Sequence, residues 1–194
     1  GEYKINHDGP VVGGGDVDAL IERVRERSPS RLVVAGSLPR GVDADAVDRL
    51  ARAGTWETAV DMGGSFLKRL DADYLVCKPN REELATATGR EVETVDDCVA
   101  AARELRKRGF RYVLASLGPD GGLLVSETEA NYAEALPVDV VDTVGAGDAM
   151  LSGFLAGLAR GESRAEALRT AIVVAARVVG ASGTSVPPFD AGFA

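Results

Sequence analysis

The chain has 194 residues, 45% apolar and 27% charged with both signs interspersed, which is enough for one substantial domain with its own core. Its formal net charge of −8 argues against nucleic acid as a partner, because phosphate contacts need a basic face. No apolar run approaches the roughly 18 residues that cross a bilayer, so no membrane partner is expected. Cys77 and Cys98 lie far apart and form no CxxC pair, which predicts ordinary reduced thiols and a cytoplasmic setting.

The pattern begins with a short strand over residues 2–6 and a turn at Asp8-Gly9-Pro10. Asp16 offers an N-cap to an amphipathic helix carrying Leu20, Ile21 and Val24, which ends near Ser28-Pro29. Residues 32–35 form a continuous apolar run, as expected of a buried parallel strand, and lead into the turn-rich Gly36-Ser-Leu-Pro-Arg-Gly41. A helix over 43–53 and a strand over 58–61 follow, then a Gly63-Gly64 loop with a short helix up to residue 70. Residues 74–77 read as a strand with Lys78-Pro79-Asn80 at its carboxyl end. Asn80 caps the helix over 81–88, and Glu83 suits a capping box. A helix over 95–108 and a strand over 112–116 come next, then the turn 118–122 and strands over 123–125 and 131–136. The apolar run 135–141 reads as a further strand. It enters a glycine loop at Gly145-Ala-Gly147, followed by helices near 149–160 and 164–179.

Strands alternating with helices predict an α/β fold with three layers, α/β/α, around a mostly parallel central sheet. Ligands bind such sheets at the carboxyl ends of strands, so the loops after 32–35, 74–77, 112–116 and 135–141 converge on one edge. Gly145 and Gly147 at a helix N-terminus offer bare N–H groups at the positive end of the helix dipole, a place that favours phosphate. Asp148 puts a carboxylate there, where a substrate hydroxyl could meet the phosphate; a capped turn is the plainer alternative. Lys78 is either a phosphate-neutralising cation or a solvated surface lysine. Asn80 and Glu83 are either caps alone or partners of a Mg²⁺ ion that substrate phosphates also hold. Ser116, Gly118 and Gly121 suit a nucleotide passing close to backbone, or a hairpin turn.

Other chemistries lack their residues. The G-x-G-x-x-G fingerprint fails at Met150, and no Gly-Lys-Ser/Thr or G-x-S-x-G sequence occurs. His7 is the only histidine, so His/Cys metal sites are excluded by scarcity.

Taken together, Lys78-Pro-Asn-Arg-Glu-Glu83, Ser116-Leu-Gly-Pro-Asp-Gly121 and Asp142-Thr-Val-Gly-Ala-Gly-Asp148 resemble the ribokinase/phosphofructokinase-B family of sugar kinases over nearly the whole chain. Glu2-Tyr-Lys-Ile-Asn6 with Gly9-Pro10, and Gly36-Ser-Leu-Pro39, are most similar to the branch that phosphorylates sugar phosphates. Fructose 1-phosphate is the first expected acceptor, with tagatose 6-phosphate, fructose 6-phosphate or an unphosphorylated sugar as alternatives, and a catalytically idle nucleotide-binding module as the non-enzymatic one. The resemblance implies a ribokinase-like domain over residues 1–194 whose amino-terminal part and most of whose lid are missing, with residues 1–12 as a lid-strand remnant. It implies ATP, Mg²⁺ and K⁺ as cofactors, and a homodimer at full length. Asp148 would be the base facing the sugar hydroxyl, and Gly145, Ala146 and Gly147 the anion hole. Lys78 would lie near the phosphates, Asn80 and Glu83 would organise Mg²⁺ partly through water, and Ser116, Gly118, Gly121, Ile172 and Ala176 would line the nucleotide. Asp142, Val144, Val178, Ala181, Gly183 and Ser185 would hold the monovalent cation, mainly by carbonyls. Ala35 departs from the serine common in relatives, and Asp142 is more like the ribokinase and fructokinase branches than the sugar-phosphate branch. The chain alone is expected to bind nucleotide weakly and phosphorylate little.

Overall fold

A computed structural model describes residues 9–181; the expected strand over 2–6, His7, and the cation-site residues Gly183 and Ser185 lie outside them. The sheet has six strands in chain order: β1 (Arg31–Ala35), β2 (Glu57–Asp61), β3 (Tyr74–Cys77), β4 (Phe110–Ser116), β5 (Gly122–Val125) and β6 (Ala130–Ala133). β1 to β4 run parallel, while β5 and β6 add an antiparallel edge. Successive parallel strands with right-handed crossovers place their connecting helices on one face. Helices α2 (Ala44–Arg52), α3 (Gly64–Leu67), α4 (Arg81–Thr88) and α5 (Val95–Arg106) occupy that face, in one core with Val60, Cys77, Val113 and Leu123. Helix α1 (Gly14–Arg27) extends this layer by packing Val17 and Ile21 against Ala46 and Leu50 of α2.

The opposite face carries α6 (Ala146–Ala159) and α7 (Arg164–Val179), which bury Met150, Phe154, Leu168 and Ile172 against Ala59, Leu75, Leu114 and Leu124. α6 and α7 approach closely because Gly153 and Gly157 face Ala171 and Ala167; a Cβ on either glycine would come within 2.9 Å of the opposing Cα. The three-layer α/β/α architecture expected from the alternation is therefore present.

The elements follow the sequence pattern with four corrections. Asp16 is not the N-cap of α1: Gly13 is, and the Asp16 carboxylate accepts a hydrogen bond from the Gly13 N–H at 2.9 Å from three residues further on. α5 stops at Arg106 rather than 108. The last strand closes at Ala133, and residues 135–141 form no strand. Pro137 has no N–H to give a ladder, and Val140 and Val141 lie exposed rather than alternating between faces. This stretch is instead a strap pinned to the end of α7, where the Val179 carbonyl accepts from the N–H groups of Val141 and Asp142. Finally, α6 begins at Ala146, three residues earlier than its periodicity indicates, which brings Gly147 and Asp148 inside its first turn.

A buried carboxylate fixes the amino-terminal end of the sheet, remote from the strand ends that matter below. Asp48 of α2 is 4% exposed. It accepts hydrogen bonds from the N–H groups of Asp71 and Ala72 and, at 2.6 Å, from the Tyr74 hydroxyl.

Candidate active site

The carboxyl ends of β2, β3 and β4 converge on the start of α6. At β3, Lys78 continues the ladder by donating its N–H to the Val60 carbonyl, and Asn80 forms a bridge with Ser116 at the end of β4. Asn80 caps α4 by the expected box. Its Oδ1 accepts from the Glu83 N–H at 2.8 Å, and Glu83 Oε2 accepts from the Asn80 N–H at 2.8 Å. The capping role and an outward-facing role coexist, because Asn80 stays exposed and Glu83 keeps its other carboxylate oxygen.

The turn after β4 is a single 3-10 turn, Gly118–Asp120, held from two sides. Arg81 of α4 donates to Asp120 Oδ2 at 2.6 Å and to the Glu93 carbonyl at 2.6 Å, and the Tyr132 hydroxyl donates to the Asp120 carbonyl at 2.6 Å.

At α6 the N-cap is Gly145, with φ of 82°, a left-handed conformation that a side chain would strain. No side chain caps this end, since glycine has none. The first N–H groups of Ala146 and Gly147 therefore lie at the positive end of the helix. Asp148 sits in the same first turn and is exposed to solvent.

A cleft of 650 Å³ runs from this point between the 118–121 turn, the strap and α7. Asn80, Ser116, Gly118, Gly121, Ala146, Gly147, Ile172 and Ala176 line it, so most of the residues expected beside a nucleotide share one cavity. Lys78, Glu83, Gly145 and Asp148 are not among its walls. The wall also includes Leu136, Val138, Val140, Thr143, Met150 and Val179, none of which was expected beside the nucleotide. Apolar residues in a strap look like a strand until the sheet is known to end before them.

Lys78 is not a solvated surface lysine. It is 5% exposed, and its Nζ lies 3.2 Å from Asp61 Oδ1. Asp61, at the end of β2, belongs to the same side of its strand as Ala59, which is the α6 side. A Cβ built on Gly147 would fall 2.9 Å from Lys78 Nζ and 3.9 Å from Asp61 Oδ2, so the ion pair lies directly against the start of α6. Burial pushes the Asp61 carboxyl above its ordinary range and Lys78 pulls it back, while Glu83 and Asp148 add to the upward push. Lys78 at the end of β3, Glu83 of α4 and Asp148 of α6 thus all act on the Asp61 carboxylate. Asp61 was missed because a lone acid ending an apolar strand carries no spacing signal.

The cation-site expectation divides. Asp142 Oδ1 accepts from the Val144 N–H at 2.9 Å, forming a tight turn behind Gly145. That turn rests on the carboxyl end of α7, where Val178 reaches toward Gly145 and its carbonyl accepts from the Ala181 N–H. Asp142, Val144, Val178 and Ala181 are therefore neighbours at a helix C-terminus, the end that favours cations.

This arrangement has known counterparts. The model of the pfkB family carbohydrate kinases matches residues 27–190. The chain belongs to this family. It is 60% identical over 190 residues to the 1-phosphofructokinase of Haloferax volcanii, covering 98% of this chain and 62% of that protein. It is 38% identical over 157 residues to the 1-phosphofructokinase of Escherichia coli K12, covering 79% of this chain and 50% of that one. The chain thus spans half to three-fifths of the length of these relatives. Among solved structures, phosphofructokinase-2 of Escherichia coli in complex with potassium aligns with a TM-score of 0.87 at 30% identity, over 95% of this chain and 62% of that one. Arabidopsis thaliana ribokinase complexed with ribose and ATP aligns at 0.69 and 27%, over 86% and 54%. The pfkB kinases share the ribokinase-like fold, so the expected family and fold class both hold.

Proposed function

We propose that this chain carries the nucleotide-binding and phosphoryl-transfer portion of a kinase that converts fructose 1-phosphate and ATP to fructose 1,6-bisphosphate and ADP. One observation carries the reading: a helix start without a side-chain cap, bearing an exposed carboxylate in its first turn, stands at the end of a nucleotide-sized cleft. The 60% identity to a protein named 1-phosphofructokinase supports the choice of sugar.

In this reading the adenine lies along Ile172 and Ala176, and the phosphates run past Ser116, Gly118 and Gly121 toward Ala146 and Gly147. Asp148 accepts the proton of the sugar hydroxyl as its oxygen bonds to the terminal phosphorus. The bond from that phosphorus to the bridging oxygen breaks, and ADP leaves with the electron pair. Such transfers have a loose transition state, so positioning and charge stabilisation supply most of the rate. The N–H groups of Gly145 and Gly147 face the equatorial oxygens together with that of Ala146, which here also reaches the Thr143 carbonyl at 3.3 Å, and Lys78 stands next to them.

The donor set suits Mg²⁺ held largely by phosphate and water. Among the described residues no group of three or more His, Cys, Asp and Glu could hold a metal unaided, and Mg²⁺ retains several waters when phosphates share it. Asn80 and Glu83 would reach it partly through water, and the ion would neutralise phosphate charge. K⁺ would sit between the 142–144 turn and the end of α7, supporting the anion hole from behind. The reading also includes a homodimer and a cytoplasmic setting, the latter in keeping with two free, buried thiols.

The test is an ADP-release assay with fructose 1-phosphate, fructose 6-phosphate, tagatose 6-phosphate, fructose and ribose. It is run on the chain alone and on the chain joined to the part of the Haloferax volcanii relative that it does not match. The expected result is fructose 1-phosphate-dependent turnover in the joined protein and little in the chain alone. Preference for an unphosphorylated sugar would overturn the assignment.

A further inference from the structure

The Asp61–Lys78 pair has no role in the assignment above beyond Lys78 lying close to phosphate. A buried lysine is costly, because removing an ammonium from water is repaid only by a well-placed counter-charge. Lys78 is 5% exposed and Asp61 Oδ1 stands 3.2 Å from its Nζ. The other charges acting on this carboxylate, Glu83 and Asp148, are both negative. Asp61 is also fixed by its backbone: its carbonyl accepts the Gly36 N–H at 3.0 Å, tying the end of β2 to the loop after β1. The ammonium is consequently held at one point, against Gly147 in the first turn of α6, where the absence of a side chain leaves room for it.

We propose that Asp61 is a positioning residue of the phosphate site, whose carboxylate holds the Lys78 ammonium against the start of α6, where the phosphates of ATP are received. This rests on the kinase reading. Asp61 touches no substrate; it acts through Lys78. Without it, the buried ammonium loses its direct ion-pair partner and withdraws from its place. Phosphate then loses a charge-assisted contact, while the apolar walls along Ile172 and Ala176 are untouched.

ATP and adenosine separate these effects, since adenosine carries the base and ribose without the phosphates. NMR titration of each into the full chain gives the affinities of wild type, Asp61→Asn, Lys78→Met and the double variant. In Asp61→Asn, the ATP Kd should rise about tenfold, the scale of one hydrogen bond to a charged group, with the adenosine Kd within about twofold of wild type. In the Lys78→Met background, Asp61→Asn should change the ATP Kd by less than about twofold, because residues acting as a unit are not additive. If Asp61→Asn alone fails to fold, the double variant, which buries no unpaired charge, is still compared with Lys78→Met, and a further loss of ATP affinity there overturns the proposal. An additive loss, an equal loss for adenosine, or unchanged ATP affinity in Asp61→Asn overturns the proposal. Failure of the wild-type chain to bind ATP would instead strike the nucleotide-site reading on which it rests.

Discussion

Gly147→Ala is the substitution that most directly separates the architecture of this site from its chemistry. Gly147 lies in the first turn of α6 with Lys78 packed against it. The added methyl carbon would sit 2.9 Å from Lys78 Nζ and 3.3 Å from its Cε, whereas its distance to Asp61 Oδ2 is an ordinary 3.9 Å. The clash is therefore with the far end of a flexible side chain and not with backbone. Relief requires the ammonium to move by roughly half an ångström, and a misplacement of about 1 Å in such sites can cost about 100-fold. The expected loss in turnover is about tenfold. Stability should move little, because replacing glycine by alanine in a helix gains roughly 0.5–1 kcal/mol that offsets the displacement. The ADP-release assay on the joined protein reads the first quantity and a thermal melt the second. Full turnover in Gly147→Ala, at unchanged Tm, would refute the idea that the ammonium's position matters.

Asp148→Asn should fold and bind nucleotide as wild type while turnover falls on the order of 10²–10⁴-fold, the usual contribution of a positioned acid–base group; near-normal turnover in that variant would remove Asp148 from the mechanism. Arg81→Ala releases one side of the 118–120 turn, and since a partly exposed ion pair is worth under about 1 kcal/mol, the KM for ATP should rise about threefold with kcat unchanged. Asp48→Ala strands two backbone donors and the Tyr74 hydroxyl in a buried place and should cost on the order of 3 kcal/mol, measured by urea unfolding. Burial, then the hydrogen bond to Asp48, raise the Tyr74 phenol well above its ordinary value, so its contribution is complete below about pH 10 and is lost as pH rises further. Tyr74→Phe should accordingly flatten the alkaline arm of the stability curve, seen in melts between about pH 8 and 11.

The parts of this protein legible in its sequence are those governed by local rules. β3 and α4 occupy the residues their pattern indicates, because four buried apolar residues end at Pro79 and the Asn80–Glu83 box is a local backbone interaction. Ser163 likewise caps α7 at its expected start. The failures have one cause, which is that burial depends on what lies across the fold. Residues 135–141 carry a strand's composition, but β6 already ends the sheet and Pro137 cannot extend it, so Val138 and Val140 become part of the wall of a cleft. The periodicity starts α6 late because Gly145, Ala146 and Gly147 have no large apolar side chains to register a helical period. Of the three, Gly147 has a reason for lacking a side chain that is visible only in three dimensions: Lys78 fills the space beside it. Asp61 completes the same point, since its pairing comes from register, with β2 ending level with β3 so that Val60 pairs with Cys77 and the next residues, Asp61 and Lys78, meet. A family motif therefore brings out Lys78, whereas its ion-pair partner Asp61 follows from strand register and leaves no motif behind.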